Sequence, residues 1–147
     1  EEATKNSDIM LIYFTSGTTG MPKMVAHDYL YALAHITTAA FWHKVDPDGI
    51  HLTVSDTGWG KAAWGKLYGQ WLAETCIMVY DFDKFIPSDL LQIMQDYKIT
   101  TFCAPPTIYR FLVKENMAEY DLSSLKECTN AGEPLNPEWI NSANLQA

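Results

Sequence analysis

The chain has 147 residues, of which 48% are hydrophobic and 19% charged, so it is the size of one ordinary domain and can bury a core without staples. Its 10 Lys and Arg against 18 Asp and Glu leave a net charge of −8, which argues against nucleic acid or an anionic membrane surface as a partner. Arg110 is the only arginine, so any bound anion must be held mostly by backbone amides and single lysines.

Residues 8–14 form a short apolar run that ends in a Thr, Ser and Gly cluster, which predicts a buried strand entering a loop. Residues 24–26 make a second short extended piece. Asp28 is placed to cap a helix running to about residue 43. Pro47, Asp48 and Gly49 predict a turn, residues 50–54 a strand and residues 55–60 a loop. Trp64, Leu67, Tyr68, Trp71 and Leu72 fall on one helical face, which predicts a single helix packed on the core. Strands over 75–80, 99–103 and 125–130 alternate with helices over 87–97 and 105–117, and Asn136 and Pro137 open a last helix.

Strands alternating with helices predict an α/β fold, a doubly wound and mostly parallel sheet with flanking helices. Ligands of such sheets bind beyond the carboxyl ends of the strands. The loops at 15–23, 55–60, 104–107 and 131–134 are therefore expected to converge on one side. A helix that opens a few residues before the sequence stops reads as part of a longer protein. The polar, acidic residues 1–6 read as neither a signal nor a transit peptide. No run of about 18 apolar residues is present, so no transmembrane segment is expected.

The sharpest feature is the string Thr15, Ser16, Gly17, Thr18, Thr19, Gly20, Met21, Pro22 and Lys23, placed directly after a strand. Its chemistry is that of a phosphate cradle. Gly17 and Gly20 permit positive φ and close backbone approach, so that successive amides can point into one concavity. The hydroxyls add donors, Lys23 adds one mobile positive charge, and Pro22 stiffens the chain before it. The spacing fits neither a Walker A loop nor a GxGxxG turn.

This string resembles the phosphate-binding signature of the acyl-adenylate-forming (AMP-binding) superfamily. Ser55-Asp56-Thr57-Gly58-Trp59, the run from Ala104 to Arg110, and Ala131-Gly132-Glu133-Pro134-Leu135 are similar to further segments of its medium-chain and acetyl-CoA synthetase branch, in the same order. The resemblance implies that the chain is part of the large N-terminal domain, a partial AMP-binding domain over residues 1–147, with the phosphate loop at 15–23 and a parallel α/β region from about residue 28. It implies an ATP-dependent acyl-CoA synthetase, which activates a carboxylic acid as acyl-AMP and transfers it to coenzyme A, with Mg2+ accompanying ATP. Residues Thr15 to Lys23 are then expected at the ATP phosphates, and Gly132, Glu133 and Pro134 at the nucleotide. Trp59, Gly60 and Ala131 are expected at the acyl pocket. The family's magnesium-binding motif, ribose-binding aspartate, hinge and catalytic lysine have no counterpart in this sequence. No catalytic residue is therefore assigned within the fragment, and the isolated chain is expected to be inactive. The alternative is a non-catalytic, flavodoxin-like nucleotide-binding or interaction module.

Other candidates receive plainer readings. His27, His35, His43 and His51 recur every eight residues, a drift of about 80° on a helix, so they are expected neither to share a face nor to bind a metal. His27 follows the phosphate loop and reads as a surface or capping residue. Acidic turns at 46–48 and 81–83 lack a third carboxylate and read as solvated loops. Arg110 is open between a structural role and an approach to coenzyme A. Cys76, Cys103 and Cys128 lie in apolar runs without metal-ligand spacing, which predicts buried, free thiols and a cytoplasmic location.

Overall fold

The computed structural model describes residues 3–15 and 20–133. Strands β1 (Ile9–Thr15) and β2 (Lys23–Asp28) pair antiparallel, from Ile9 opposite Asp28 to Thr15 opposite Lys23. The first strand is not buried as its apolar run predicts: Ile9 and Phe14 are 63% and 71% exposed. A two-stranded ribbon has no second layer of its own, so apolar composition alone cannot bury both of its faces. Helix α1 (Tyr29–Thr37) starts as expected, with the Leu30 amide donating to Asp28 Oδ1 at 3.0 Å. A wider, π-type turn over Thr38–His43 continues it to Lys44, which adopts a left-handed φ of 48°.

The expected parallel sheet follows. Strand β3 (Ile50–Thr53) leads through α2 (Gly60–Trp64) and α3 (Tyr68–Leu72) to β4 (Cys76–Met78). Helix α4 (Pro87–Asp96) leads to β5 (Thr101–Ala104), and α5 (Pro106–Leu112) to β6 (Glu127–Asn130). The order is β4-β3-β5-β6, and every pair is parallel. Helices α4 and α5 both carry Pro in the first turn, where its missing N–H costs nothing. Helix α5 stops short of residue 117. Met117–Glu119 instead forms a separate 3-10 turn that packs Met117 against the core.

Strand alternation divides the sheet into two buried faces of different chemistry. Leu52, Phe102 and Ala104 join Leu90, Leu91, Met94, Ile99 and Leu112 in an apolar core beneath α4 and α5. The intervening residues His51, Thr53, Thr101 and Cys103 are also buried. On that side His51 is bonded to Gly65, which follows α2, and rests on His43 of the π-type turn.

That polar face breaks the single helix expected over residues 64–72. In an uninterrupted helix the Gly65 carbonyl would accept from the amide four residues on. Here it accepts from His51 Nε2 at 3.0 Å, Gln70 Nε2 at 3.1 Å and the Thr53 hydroxyl. Chain segments from the sheet therefore capture the carbonyl that would have joined α2 to α3. The anticipated apolar face is only partly covered: Trp64, Leu67 and Tyr68 are half-buried, whereas Trp71 and Leu72 are exposed. Gly69 and Gln70 occupy the buried positions instead.

At Gly69, α3 lies directly against the end of α1. A Cβ placed there would lie 2.1 Å from the His35 carbonyl oxygen and 2.9 Å from Ala39 Cβ. Backbone on one side and a buried neighbour on the other leave no flexible atom to yield. Gly69→Ala is expected to cost about 1–3 kcal/mol, the range for overpacking. A lower urea midpoint with an unchanged denaturant slope checks this.

The thiols depart from expectation at one position. All three cysteines are free; Cys103 is buried and Cys128 partly so, but Cys76 on edge strand β4 is exposed. The helix expected from Asn136 and Pro137 lies outside the described residues.

Candidate functional site

The residues that flank the glycine- and hydroxyl-rich string are paired in the hairpin. Thr15 closes β1 opposite Lys23, the first residue of β2. Gly20 adopts a φ of +82° with open space around a notional Cβ, so the backbone conformation rather than crowding calls for glycine. Met21, Pro22 and Lys23 are exposed. Ser16, Gly17, Thr18 and Thr19 lie outside the described residues, as does Pro134.

The turn's stem meets the loop after β3 through Tyr13. A Cβ on Gly60 would sit 3.6 Å from Tyr13 Cζ, in ordinary contact. That loop is locally wound: Asp56 Oδ1 accepts from the Gly58 amide at 2.7 Å, and the Trp59 amide donates to the Asp56 carbonyl at 3.1 Å. Trp59 then caps α2 with an extended backbone and an exposed indole.

The loops after β3, β5 and β6 meet at the carboxyl ends of the sheet. Lys61, in the first turn of α2, donates from Nζ to the Ala131 carbonyl at 3.3 Å. Thr107, in α5, donates from Oγ1 to Glu133 Oε2 at 2.8 Å. Gly132 between these tethered residues has a φ of +100°. The Tyr109 hydroxyl donates to the Thr129 carbonyl at 2.8 Å and holds the end of β6. Burial pushes the Tyr109 phenol up, so it stays protonated and able to donate. Arg110 is half-buried in α5.

Lys61 is only 8% exposed. Burial lowers its pKa, while the neighbouring Cys103 and Glu133 act in the opposite direction. It was missed in the sequence, although a lysine between Gly60 and two alanines in an apolar stretch is itself a signal. Tyr13 carries no such signal, because an aromatic residue in a strand is ordinary.

The four histidines do come together, although not on one helix face. His27 lies 4.1 Å from Tyr31, and Tyr31 4.5 Å from His35, between ring centroids. Trp64 stands 6.2 Å from His35 and 6.4 Å from His43, and His43 lies 4.9 Å from His51. This ladder runs from the hairpin, where Tyr13 packs edge-on against His27, to the floor of the parallel sheet. Among the described residues, no three His, Cys, Asp or Glu side chains are grouped to hold a metal ion. Burial drives His51 down to about 4, against the pull of its bond to the Gly65 carbonyl. A carbonyl only accepts, so His51 Nε2 carries the proton, and Nδ1 accepts from the Thr101 hydroxyl at 2.7 Å. His43 falls to about 3, mainly through burial and then through His51 and Lys61. Its Nδ1 pairs with Thr129 Oγ1 at 3.0 Å, and its buried Nε2 has no hydrogen-bond partner among the described residues.

A parallel sheet flanked by helices, with three loops gathered at the strands' carboxyl ends, defines an α/β domain. The sequence matches the family described as AMP-binding enzyme across residues 1–145, and the chain belongs to that family. It is 41% identical over 147 residues to the mitochondrial acyl-coenzyme A synthetase ACSM3 of Pongo abelii, an alignment covering 97% of this chain and 25% of that protein. The mitochondrial ACSM4 of Homo sapiens is 39% identical over 144 residues, with coverage of 97% and 25%. The chain thus spans about a quarter of the length of these relatives. The crystal structure of a Brucella canis acyl-CoA synthetase superposes with a TM-score of 0.81 at 26% identity, covering 93% of this chain and 25% of that one. An anthranilate CoA ligase, AuaEII, solved with anthranoyl-AMP, shares the fold with a TM-score of 0.80 at 24% identity, covering 93% and 27%. Among the described residues, no helix is long and apolar enough to cross a membrane.

Proposed function

We propose that this chain supplies the phosphate turn, nucleotide wall and acyl wall of an ATP-dependent acyl-CoA synthetase. The observation that carries the reading is the joining of the loops after β3, β5 and β6 by the Lys61–Ala131 and Thr107–Glu133 bonds, with the stem of the phosphate turn against Gly60. In this reading residues 1–147 form part of the AMP-binding domain. Thr15, Ser16, Gly17, Thr18, Thr19, Gly20, Met21, Pro22 and Lys23 hold the ATP phosphates. Gly132, Glu133 and Pro134 flank the nucleotide, and Trp59, Gly60 and Ala131 line the acyl side.

The chemistry runs in two steps. A carboxylate oxygen attacks the α-phosphorus of ATP, and pyrophosphate leaves with the electrons of the broken P–O bond. The thiolate of coenzyme A then attacks the acyl carbon, and AMP leaves. This chain's contribution is to position the reactants and to meet charge on the departing phosphates. The left-handed Gly20 and the exposed Lys23 suit a turn that wraps an anion. Magnesium would accompany ATP and neutralise phosphate charge; among the described residues no three His, Cys, Asp or Glu side chains are grouped to hold it, so ATP itself would be its chief partner here. Three free thiols fit a reducing compartment, the cytoplasm in the first instance; the names of the ACSM relatives place those proteins in mitochondria.

The substrate reading is an acid longer than acetate: medium-chain, branched or aromatic. Gly60 and Ala131 are both small, and each extra buried methylene contributes about 0.8 kcal/mol, roughly fourfold in kcat/KM. In a full-length protein carrying this segment, pyrophosphate release with ATP, coenzyme A and a series of straight-chain acids tests the activity. The double substitution Gly60→Val and Ala131→Val is expected to cut kcat/KM for the longer acids while sparing acetate and propionate. Identical chain-length profiles for wild type and variant would remove these residues from the acyl wall.

A further inference from the structure

We propose that Lys61 is a positioning residue, a cationic strut that runs from the start of α2 to the loop after β6 and fixes the backbone at residues 131–133. The identity of the ligand served by that loop rests on the function proposed above; the strut itself does not.

The argument begins with what holds the loop. Gly132 has a left-handed φ of +100°, and a notional Cβ there would meet nothing within 4 Å. Side-chain packing therefore does not clamp the middle of the loop. What does is a pair of polar tethers, Lys61 Nζ to the Ala131 carbonyl and Thr107 Oγ1 to the Glu133 carboxylate. Each comes from a helix that follows a strand of the same sheet, α2 after β3 and α5 after β5, so the loop's position is set by the sheet through two side chains.

Lys61 suits this part better than an apolar residue would. It is 8% exposed, and lysine is seldom buried so deeply unless its charge has partners. An ammonium carries three donors and no acceptor. One donor goes to Ala131, and the charge lies close enough to Glu133 and Cys103 for both to favour the protonated form. The charge thus acts on both ends of the 131–133 segment, on a carbonyl at one and a carboxylate at the other. A methionine in its place would keep the bulk and lose both attractions.

Hydrogen exchange on a full-length protein carrying this segment tests the strut without reference to activity. Lys61→Met is expected to speed exchange of the amides at 131–133 by about tenfold, the size of one lost charge-assisted bond. The β5 amides should be unchanged, and Lys61→Arg should restore most of the protection. AMP affinity, measured by titration calorimetry, should fall by a similar factor in Lys61→Met. Unchanged exchange at 131–133 in a folded Lys61→Met protein would overturn the proposal. So would a uniform rise through β5 and β6, which would make Lys61 a packing residue only. If Lys61→Met does not fold, Lys61→Gln faces the same measurement and the same two outcomes. A wild-type protein that does not bind AMP would remove the nucleotide reading, and the exchange result would still decide the strut.

Discussion

Lowering the pH from 7.5 to 5 is expected to weaken the fold by about 4 kcal/mol through His43 and His51 alone. Both imidazoles are buried, at 1% and 0% exposure, and both are held neutral, with pKa values pushed down to about 3 and about 4. The unfolded chain takes up protons near the ordinary histidine value of about 6.5, while the folded chain refuses them. The unfolded state then binds more protons, so stability falls as pH drops through that value and keeps falling toward about 4. Each histidine accounts for about 2 kcal/mol by pH 5. Urea midpoints between pH 8 and pH 5 measure the slope. His51→Gln, which keeps one donor and one acceptor, is expected to remove roughly half of it. A wild-type slope in both His51→Gln and His43→Gln would show that the pH dependence arises elsewhere.

Lys23→Ala, in a full-length protein carrying this segment, is expected to slow adenylation roughly ten- to a hundredfold, the equivalent of one lost charge-assisted contact of about 1.5–3 kcal/mol. Lys23 is exposed and begins β2 opposite Thr15, so its backbone is fixed by the hairpin while its side chain stands in solvent. Its charge would meet the departing pyrophosphate and not the acyl chain. The rate should therefore fall with little change in the KM for the acid. Single-turnover pyrophosphate release separates the two quantities. An unchanged adenylation rate with a raised acid KM would place Lys23 on the acid side.

The alternating strands and helices after residue 50 were legible because their signals are local. A capping Asp28 and the prolines opening α4 and α5 each act within a few residues of themselves. The order of the four parallel strands, and the exposure of β1, were not legible in the same way. A run of apolar residues states that burial would be favourable and does not say which layer will provide it. Ile9 and Phe14 belong to a ribbon without such a layer among the described residues.

The amino-acid sequence by itself determined the α/β class and the positions of the loops that follow β3, β5 and β6. The tertiary structure alone decided how those loops are joined. It decided that the Gly65 carbonyl is taken by His51, Thr53 and Gln70, which splits one expected helix into two. It also decided that four regularly spaced histidines line an aromatic ladder through Tyr31 and Trp64, and that Lys61 reaches Ala131 across 70 residues of chain. Local signals reflect backbone torsions and amphipathic faces, whose energies depend on near neighbours. A buried charge or a captured carbonyl depends on a partner that only chain folding brings within hydrogen-bonding distance, and no spacing in the sequence encodes that distance.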